Sequence, residues 1–397
     1  MVDFKPNIDS FALDPLWLNA RMLFIAGPRQ VGKTSFCKIK LKEKEGRYFN
    51  WDEQKVYSAY LQDKEDFFVK DLKHDSLVVF DEIHKRYKWK DILKGIFDAH
   101  RYNFQIIVSG SARLDTFKRS GDSLVGRYFL THLFPISIGD LIKLDFQEYH
   151  SANHLLETAF NVDPKINQSE LEQLIQLSGF PEPFFSGKNT FYKRWSYQHD
   201  ELLIREDLKD LSQIQNIDGI EKLKLLLKER VASPLSINSL AEDIGTKPDS
   251  IRKWILQLEK IMLIFKVDPW NKNLKRIIKK SPKIYFYDWA SLSHSEGARF
   301  ENFVAMQLFK ACTLWKDRYG QDFSLNYIRS YDDQEVDFLI SLDSKPWLLI
   351  EAKFGKPEAN RAIYHFGELL KVPGLVISSQ DGFNYKKGNI YFMSALR

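Results

Sequence analysis

The chain has 397 residues, 44% hydrophobic and 28% charged, with a net charge of +5 and two cysteines, Cys37 and Cys312. That length exceeds what one growing core supports, so about two to four domains are expected in a soluble globular protein. With two cysteines neither a disulfide framework nor a cysteine-based zinc site can be argued, and both read as buried small hydrophobes, while so modest a charge does not by itself demand nucleic acid. Met1–Pro6 lacks the apolar core of a signal segment, and no apolar run approaches the ~20 residues of a membrane span. A reducing cytoplasm is therefore the expected compartment.

In chain order, Met22–Ala26 is a short apolar strand, and the run from Ser35 can start a helix. Between them lies Gly27-Pro28-Arg29-Gln30-Val31-Gly32-Lys33-Thr34, the strand, loop, helix arrangement that cradles a nucleotide triphosphate. Gly27 and Gly32 let the backbone wind around phosphate oxygens, and the helix start through Ser35 aims free N–H groups at the anion. Lys33 would reach the β and γ phosphates of ATP, and the Thr34 hydroxyl would ligate Mg²⁺. Further apolar runs at Leu77–Phe80, Ile106–Val108 and Tyr128–Phe134 alternate with helical patterns. They predict an α/β fold with a mostly parallel sheet, a P-loop ATPase core over residues 1–145.

Residues 146–230 change to charged, helix-length segments such as Ser169–Gln176 and Tyr192–Leu211, read as a helical lid or connector. Residues 231–290 read as a winged helix-turn-helix: Ser239–Ile244, a turn at Gly245–Pro248, a second helix Asp249–Lys260, then wing strands Ile261–Val267 and Ile284–Tyr287. Asp249 is placed to cap the second helix, with Ile251, Ile255 and Leu258 on its inner face. From Ile220 to Ser281 fourteen lysines and arginines face seven acids, a surplus greater than that of the whole chain. Positive charge is thus concentrated here, with Lys247, Arg252 and Lys253 where DNA phosphates would be met. Residues 291–397 open with a helix carrying Phe300, Val304 and Leu308 and continue as strands Glu335–Ile340, Trp347–Phe354, Leu375–Ser378 and Ile390–Phe392.

Chemistry concentrates in a few places. Leu77–Phe80 ends in Asp81 and Glu82; Asp81 would hold the Mg²⁺ shell and Glu82 would polarise the water attacking the γ phosphate. The strand ending in Ser109-Gly110-Ser111 would lie between the other two, with either serine able to sense the γ phosphate. Arg127 is a candidate arginine finger, acting from a neighbouring subunit of a homo-oligomer or from the lid. Arg205 is another, and His84 reads as a helix-surface residue. Near the end, period-two geometry puts Glu335 with Asp337 on one strand face and Glu351 with Lys353 on another. If those strands pair, Asp337 and Glu351 converge on one Mg²⁺, Glu301 completes the acidic site and Lys353 stands beside the attacking water, a nuclease-like arrangement.

These motifs together resemble the prokaryotic AAA+-type ATPases that carry a C-terminal restriction-endonuclease-like domain of unknown function. The resemblance rests on Gly27 to Thr34, Asp81-Glu82, Ser109 to Ser111, and Gly126-Arg127 followed by Leu133-Phe134-Pro135-Ile136-Ser137. Gly179-Phe180-Pro181-Glu182, Arg205 to Asp207, Pro282 to Asp288, Gly297 with Glu301, Glu335 to Phe338 and Glu351-Ala352-Lys353 follow in order. It implies ATP and Mg²⁺ binding by Lys33, Thr34 and Asp81, with hydrolysis assisted by Glu82. Ser178 departs from the family, which usually has a second glycine there, as does Glu206, which weakens Arg205 as a finger. Three functions stay open on the residues: an ATPase that engages DNA, a nuclease gated by nucleotide, and a nucleotide-controlled DNA-binding or scaffolding module with little turnover.

Overall fold

A computed structural model describes residues 21–64, 67–69, 72–100, 103–110, 124–143, 148–163, 166–208, 216–270, 281–292, 295–330 and 332–396. The chain forms two compact units, Met1–Phe134 and Pro135–Arg397.

In the first unit the order is β1 (Met22–Ala26), α1 (Lys33–Glu43), β2 (Gly46–Asn50), α2 (Gln54–Gln62), β3 (Ser76–Asp81), α3 (Trp89–His100), β4 (Phe104–Ser109) and β5 (Tyr128–His132). The strands make one sheet in the order β2-β3-β4-β1-β5, and every pairing is parallel. Because helices cover such a sheet, its central strands read as unbroken apolar runs: β1, β3 and β4 are buried along their whole length. The β4 strand does lie between β3 and β1. At the edge, β2 carries Gly-Arg-Tyr-Phe-Asn and is half-buried throughout, so it offered no apolar run to find. Helix α3 turns Trp89, Leu93, Ile96 and Phe97 inward, a stripe of helical period.

The second unit begins with helices α4 (Ile138–Leu141), α5 (Ala152–Asn161), α6 (Gln168–Leu177), α7 (Pro181–Ser186), α8 (Asn189–Leu202) and α9 (Ile217–Glu229). Next come α10 (Ile237–Ile244), α11 (Pro248–Lys260), β6 (Ile264–Pro269), β7 (Lys283–Phe286), α12 (Glu296–Tyr319), β8 (Phe323–Arg329), β9 (Glu335–Leu342), β10 (Lys345–Lys353), α13 (Arg361–Leu370), β11 (Gly374–Ser378), β12 (Asn384–Lys387) and β13 (Ile390–Ser394). Gly245 ends α10 in the left-handed region at φ 73°. Helix α11 starts with Pro248 at its first position behind Lys247 as cap. Asp249 does not cap the helix as expected: its carboxylate pairs with Arg252 at 2.7 Å. Proline, which lacks an N–H, takes the first turn, so the cap falls two residues earlier. Ile251, Ile255 and Leu258 are buried as the period required.

The expected wing strands pair with each other, Ile264 opposite Phe286 and Val267 opposite Lys283. They do not form a closed module. The last residues of β6 pair in parallel with β8, Asp268 opposite Asn326 and Pro269 opposite Tyr327, which builds an eight-stranded sheet in the order β12-β13-β11-β10-β9-β8-β6-β7.

Two markers of the resemblance meet inside this unit, where the Ile136 N–H donates to the Gly179 carbonyl at 2.6 Å. A Cβ on Gly179 would stand 2.4 Å from the Ile136 carbonyl oxygen, so that contact needs glycine. Its neighbour Ser178 is fully buried and adopts φ 69°, ψ 170°, a backbone region essentially reserved for glycine. The residue that departs from the family pattern therefore carries local strain. Deeper in the unit, buried Lys310 of α12 forms an ion pair with buried Asp140 and donates to the Pro135 carbonyl at 3.1 Å.

Candidate nucleotide site

The loop after β1 packs against the end of β5. The Leu133 N–H donates to Ala26 O at 2.8 Å, and a Cβ on Gly27 would sit 2.2 Å from the Leu133 carbonyl oxygen. Only glycine allows that approach. Gly32 stands at φ 100° just before α1, a conformation that turns the chain into the helix without a Cβ clash. Between them Pro28 and Val31 are buried, while Arg29 is half-buried and Gln30 exposed. The Lys33 ammonium is folded into the loop, donating to the Gly27 carbonyl at 2.9 Å and the Pro28 carbonyl at 2.6 Å. Thr34 and Ser35 open α1 on its exposed side.

Asp81, at the C-terminal end of β3, is buried and is the hub of a hydroxyl network. Its Oδ2 accepts from Thr34 Oγ1 at 2.8 Å and from the Tyr48 hydroxyl at 2.5 Å, and its Oδ1 accepts from Ser109 Oγ at 2.6 Å. Sheet register explains the convergence: Asn50, Asp81 and Ser109 are consecutive cross-strand partners on β2, β3 and β4. Tyr48 was missed by sequence reasoning because β2 was missed; burial and the neighbouring Asp81 hydrogen bond and charge hold its phenol strongly protonated. Ser111 lies outside the described residues.

Glu82 follows at φ 61°, ψ 18°, left-handed for a residue with a Cβ. That turn is fixed by its N–H, which donates to the Ser109 carbonyl at 2.9 Å. Burial raises its pKa above the ordinary value, and the cations Lys85 and Lys33 only partly offset this. Lys85 lies 3.5 Å from the carboxylate and 2.7 Å from Asp52. His84 is not a surface residue: its side chain is 1% exposed and its Nε2 stands 3.5 Å from Glu82 Oε2. The short turn Ile83–Lys85 packs both Ile83 and His84 inward, which a helical-surface reading could not anticipate. Cys37, one turn into α1, is buried, as is Cys312, and burial raises the Cys37 thiol pKa to about 12.

Arg127 is elsewhere. It precedes β5, its carbonyl accepts from Met22 N–H at 2.8 Å, and Met22 is the first residue of β1. Arg127 therefore stands at the end of the sheet opposite the loop that follows Ala26, gripped by Asp98 through bonds of 2.8 and 3.0 Å. It does not join the Lys33 site of its own unit. In the second unit Arg205 is exposed and lies 3.8 Å from both Glu201 and Glu221.

The C-terminal acids do share a neighbourhood. Strands β9 and β10 pair antiparallel, with Phe338 opposite Ile350, and the Ala352 N–H donates to Asp337 Oδ2 at 3.0 Å. Glu351 is fully buried; its Oε2 accepts from the Asn360 N–H at 3.1 Å and Lys353 lies 3.9 Å from its Oε1. Burial, with the charge of Asp337, raises the Glu351 pKa to about 7 despite Lys353. Glu301, raised by burial and by Asp337, accepts from the Tyr285 hydroxyl at 2.8 Å. One residue had no assigned role in the sequence reading: Lys283, 1% exposed, whose Nζ lies 3.5 Å from Glu301 and 2.6 Å from Glu335. Its period-two partner Tyr285 contacts the same Glu301, a clue available in Lys283-Ile284-Tyr285.

Three family models match successive parts of the chain: an AAA domain (AAA_14) over residues 19–142, and two domains of unknown function, DUF8612 over 168–301 and DUF4143 over 296–396. Two uncharacterized proteins of Methanocaldococcus jannaschii are each 22% identical; one match covers 90% of this chain and 81% of the relative, the other 87% and 78%. An uncharacterized protein of Mycobacterium tuberculosis is 21% identical over 87% of this chain and 73% of its own. Among solved structures, the Orc1 protein of Aeropyrum pernix in complex with DNA is 12% identical, with a TM-score of 0.33 over 76% of this chain and 93% of that one. PCH-2 of Caenorhabditis elegans is 18% identical, with a TM-score of 0.22 over 38% and 43%. The AAA match and the parallel sheet with its loop agree that the first unit is a P-loop nucleotide-binding domain of the AAA ATPase class. No helix among the described residues is long and apolar enough to cross a membrane.

Proposed function

We propose that this chain is a Mg²⁺-dependent ATPase of the AAA+ type, with Glu82 as general base. The observation that carries the reading is the Asp81 carboxylate, held by Thr34, Tyr48 and Ser109 beside a loop that has no room for a Cβ at Gly27. Hydroxyl and carboxylate oxygens are the donor set a hard divalent cation prefers, so the residues present fit Mg²⁺ and a triphosphate. Lys33 would leave the Gly27 and Pro28 carbonyls and set its ammonium on the β and γ phosphates. Thr34 would present its hydroxyl oxygen to the cation and Asp81 would hold the hydration shell, while Ser109 keeps Asp81 oriented. When bound, Mg²⁺ would supply neutralisation of the phosphate charge. Glu82, whose burial raises its proton affinity, would take the proton of the attacking water. Arg127, at the far end of the sheet, would serve only a neighbouring subunit of a homo-oligomer. Turnover of ATP should be lost in Lys33→Ala and Glu82→Gln; undiminished hydrolysis in both would refute the assignment.

DNA binding through a winged helix is the second part of the reading. It is supported by Lys247, Arg252 and Lys253, which are exposed at the turn and first turns of α11. Phosphate contacts of this kind weaken steeply with salt. Binding to duplex DNA that is indifferent to salt, or unchanged in Lys247→Ala/Lys253→Ala, would rule it out.

A further inference from the structure

Helix α12 and strands β9 and β10 carry the four residues that the sequence assigned to a nuclease-like metal site, and these can be compared with what a divalent ion needs. They do not fit. Among the described residues no three His, Cys, Asp or Glu side chains come together closely enough to hold a metal ion. Asp337 spends one oxygen on the Ala352 N–H and Glu351 one on the Asn360 N–H; the other Glu351 oxygen, Oε1, is buried without a hydrogen-bond partner and has the Lys353 ammonium 3.9 Å away as its counter-charge. Where Glu301 and Glu335 approach each other, a cation is already present: the Lys283 ammonium, 1% exposed, at 2.6 Å from Glu335 Oε1 and 3.5 Å from Glu301 Oε1. Tyr327 places its ring 5.3 Å from the same ammonium.

We propose that Lys283 is the resident counter-ion of this acidic cluster, that its ammonium takes the place of a cation between Glu301 and Glu335 and beside Asp337, and that the C-terminal sheet consequently works as a metal-independent module. Two half-buried carboxylates this close need a positive partner. A lysine on β7 supplies one covalently, so a divalent ion must displace a tethered competitor whose effective concentration never falls. Burial works against the Lys283 charge, yet Glu301, Glu335 and Asp337 outweigh it and hold the ammonium above its ordinary value. Lys283 is therefore charged throughout the neutral range. The arrangement also gives β7 a role beyond pairing with β6: it delivers the cation that lets α12 and β9 face each other with acids.

Mn²⁺ binding to the full-length chain without nucleotide tests this, measured by calorimetry. The wild type should show no saturable Mn²⁺ binding that Asp337→Asn removes. Lys283→Met should gain a saturable site, tighter than any in the wild type by at least tenfold, and the double variant Lys283→Met/Asp337→Asn should lose it again. Lys283→Arg, which keeps the charge, should stay like the wild type. Mn²⁺ binding in the wild type that disappears in Asp337→Asn overturns the proposal, as does a folded Lys283→Met protein, verified by circular dichroism, that gains no site. Should Lys283→Met not fold, Lys283→Gln takes its place, with the same gain expected and the same lack of a gain overturning the proposal.

Discussion

Thr34 and Asp81, 47 positions apart in the chain, are joined by a 2.8 Å hydrogen bond from hydroxyl to carboxylate. This bond links the first turn of α1 to the end of β3, so the two groups assigned to one cation stand side by side. Preorganisation of that kind removes an ordering cost from binding.

Asp81→Asn checks what the carboxylate does. Three hydroxyls donate to Asp81, and an amide can accept from only one side. Affinity for ATP in the presence of EDTA should be nearly unchanged, whereas the gain in affinity on adding Mg²⁺ should vanish. Titration of a fluorescent ATP analogue with and without Mg²⁺ reads both quantities, and an undiminished Mg²⁺ effect would remove Asp81 from the cation shell.

Glu82 combines a chemical role with a strained backbone at φ 61°. Glu82→Gln should lower turnover by about 10²–10⁴-fold with ATP binding intact. Glu82→Gly should be equally slow yet more stable than the wild type by about 1 kcal/mol, because glycine adopts this conformation without strain. Thermal unfolding beside steady-state turnover separates the two effects; a glycine variant no more stable than Glu82→Gln would show that the turn carries no strain.

Ser178 offers the same argument without chemistry. It is buried at φ 69°, ψ 170°, where non-glycine residues pay about 1–3 kcal/mol. Ser178→Gly should raise the stability of the second unit by about 1 kcal/mol and leave ATP affinity unchanged, as read by denaturant unfolding and nucleotide titration. A destabilised variant would mean the serine side chain contributes more than the backbone loses.

Glu351 sets a pH dependence whose direction follows from its raised pKa. Below its ordinary value of 4.5 both folded and unfolded chains hold the proton; between there and about 7 the unfolded chain releases it first. The folded state then binds more protons, so stability falls as pH rises through this window and the cost is complete above it. The shift corresponds to about 3 kcal/mol. Glu351→Gln should therefore stabilise the protein at pH 8 by up to that amount, with the gain fading toward pH 4.5. A difference in unfolding midpoint that does not change with pH would contradict it.

What could be read from the sequence and what could not divide along physical lines. The buried parallel strands β1, β3 and β4 announced themselves as apolar runs, and Gly27 to Thr34 announced the loop between strand and helix. The half-buried edge strand β2 has no such pattern, and Tyr48 went unseen with it. Arg127 was chosen for its charge, but only the parallel pairing of β5 with β1 reveals that it sits at the wrong end of the sheet for its own loop. Period-two alternation is local and gave the faces on which Asp337 and Glu351 lie; that their strands pair was a condition of the reading, and β9 and β10 do pair. Lys283 was not connected to them, since the contact joins an edge strand to α12 and β9 and no short-range pattern encodes it. His84 went inward because a three-residue turn has too little length for periodicity to declare a face.

Strand β6 spends its first four residues on β7 and its last two on β8. The helix-turn-helix and the C-terminal sheet are therefore spliced through one continuous piece of backbone rather than tethered by a linker. Cutting the chain after β7 would leave the Asp268–Pro269 end of β6 and the rim of β8 as open hydrogen-bonding edges, surfaces that recruit other chains. The two regions should thus be inherited, transplanted and unfolded together, and a load applied to the helices would be felt along the whole eight-stranded sheet.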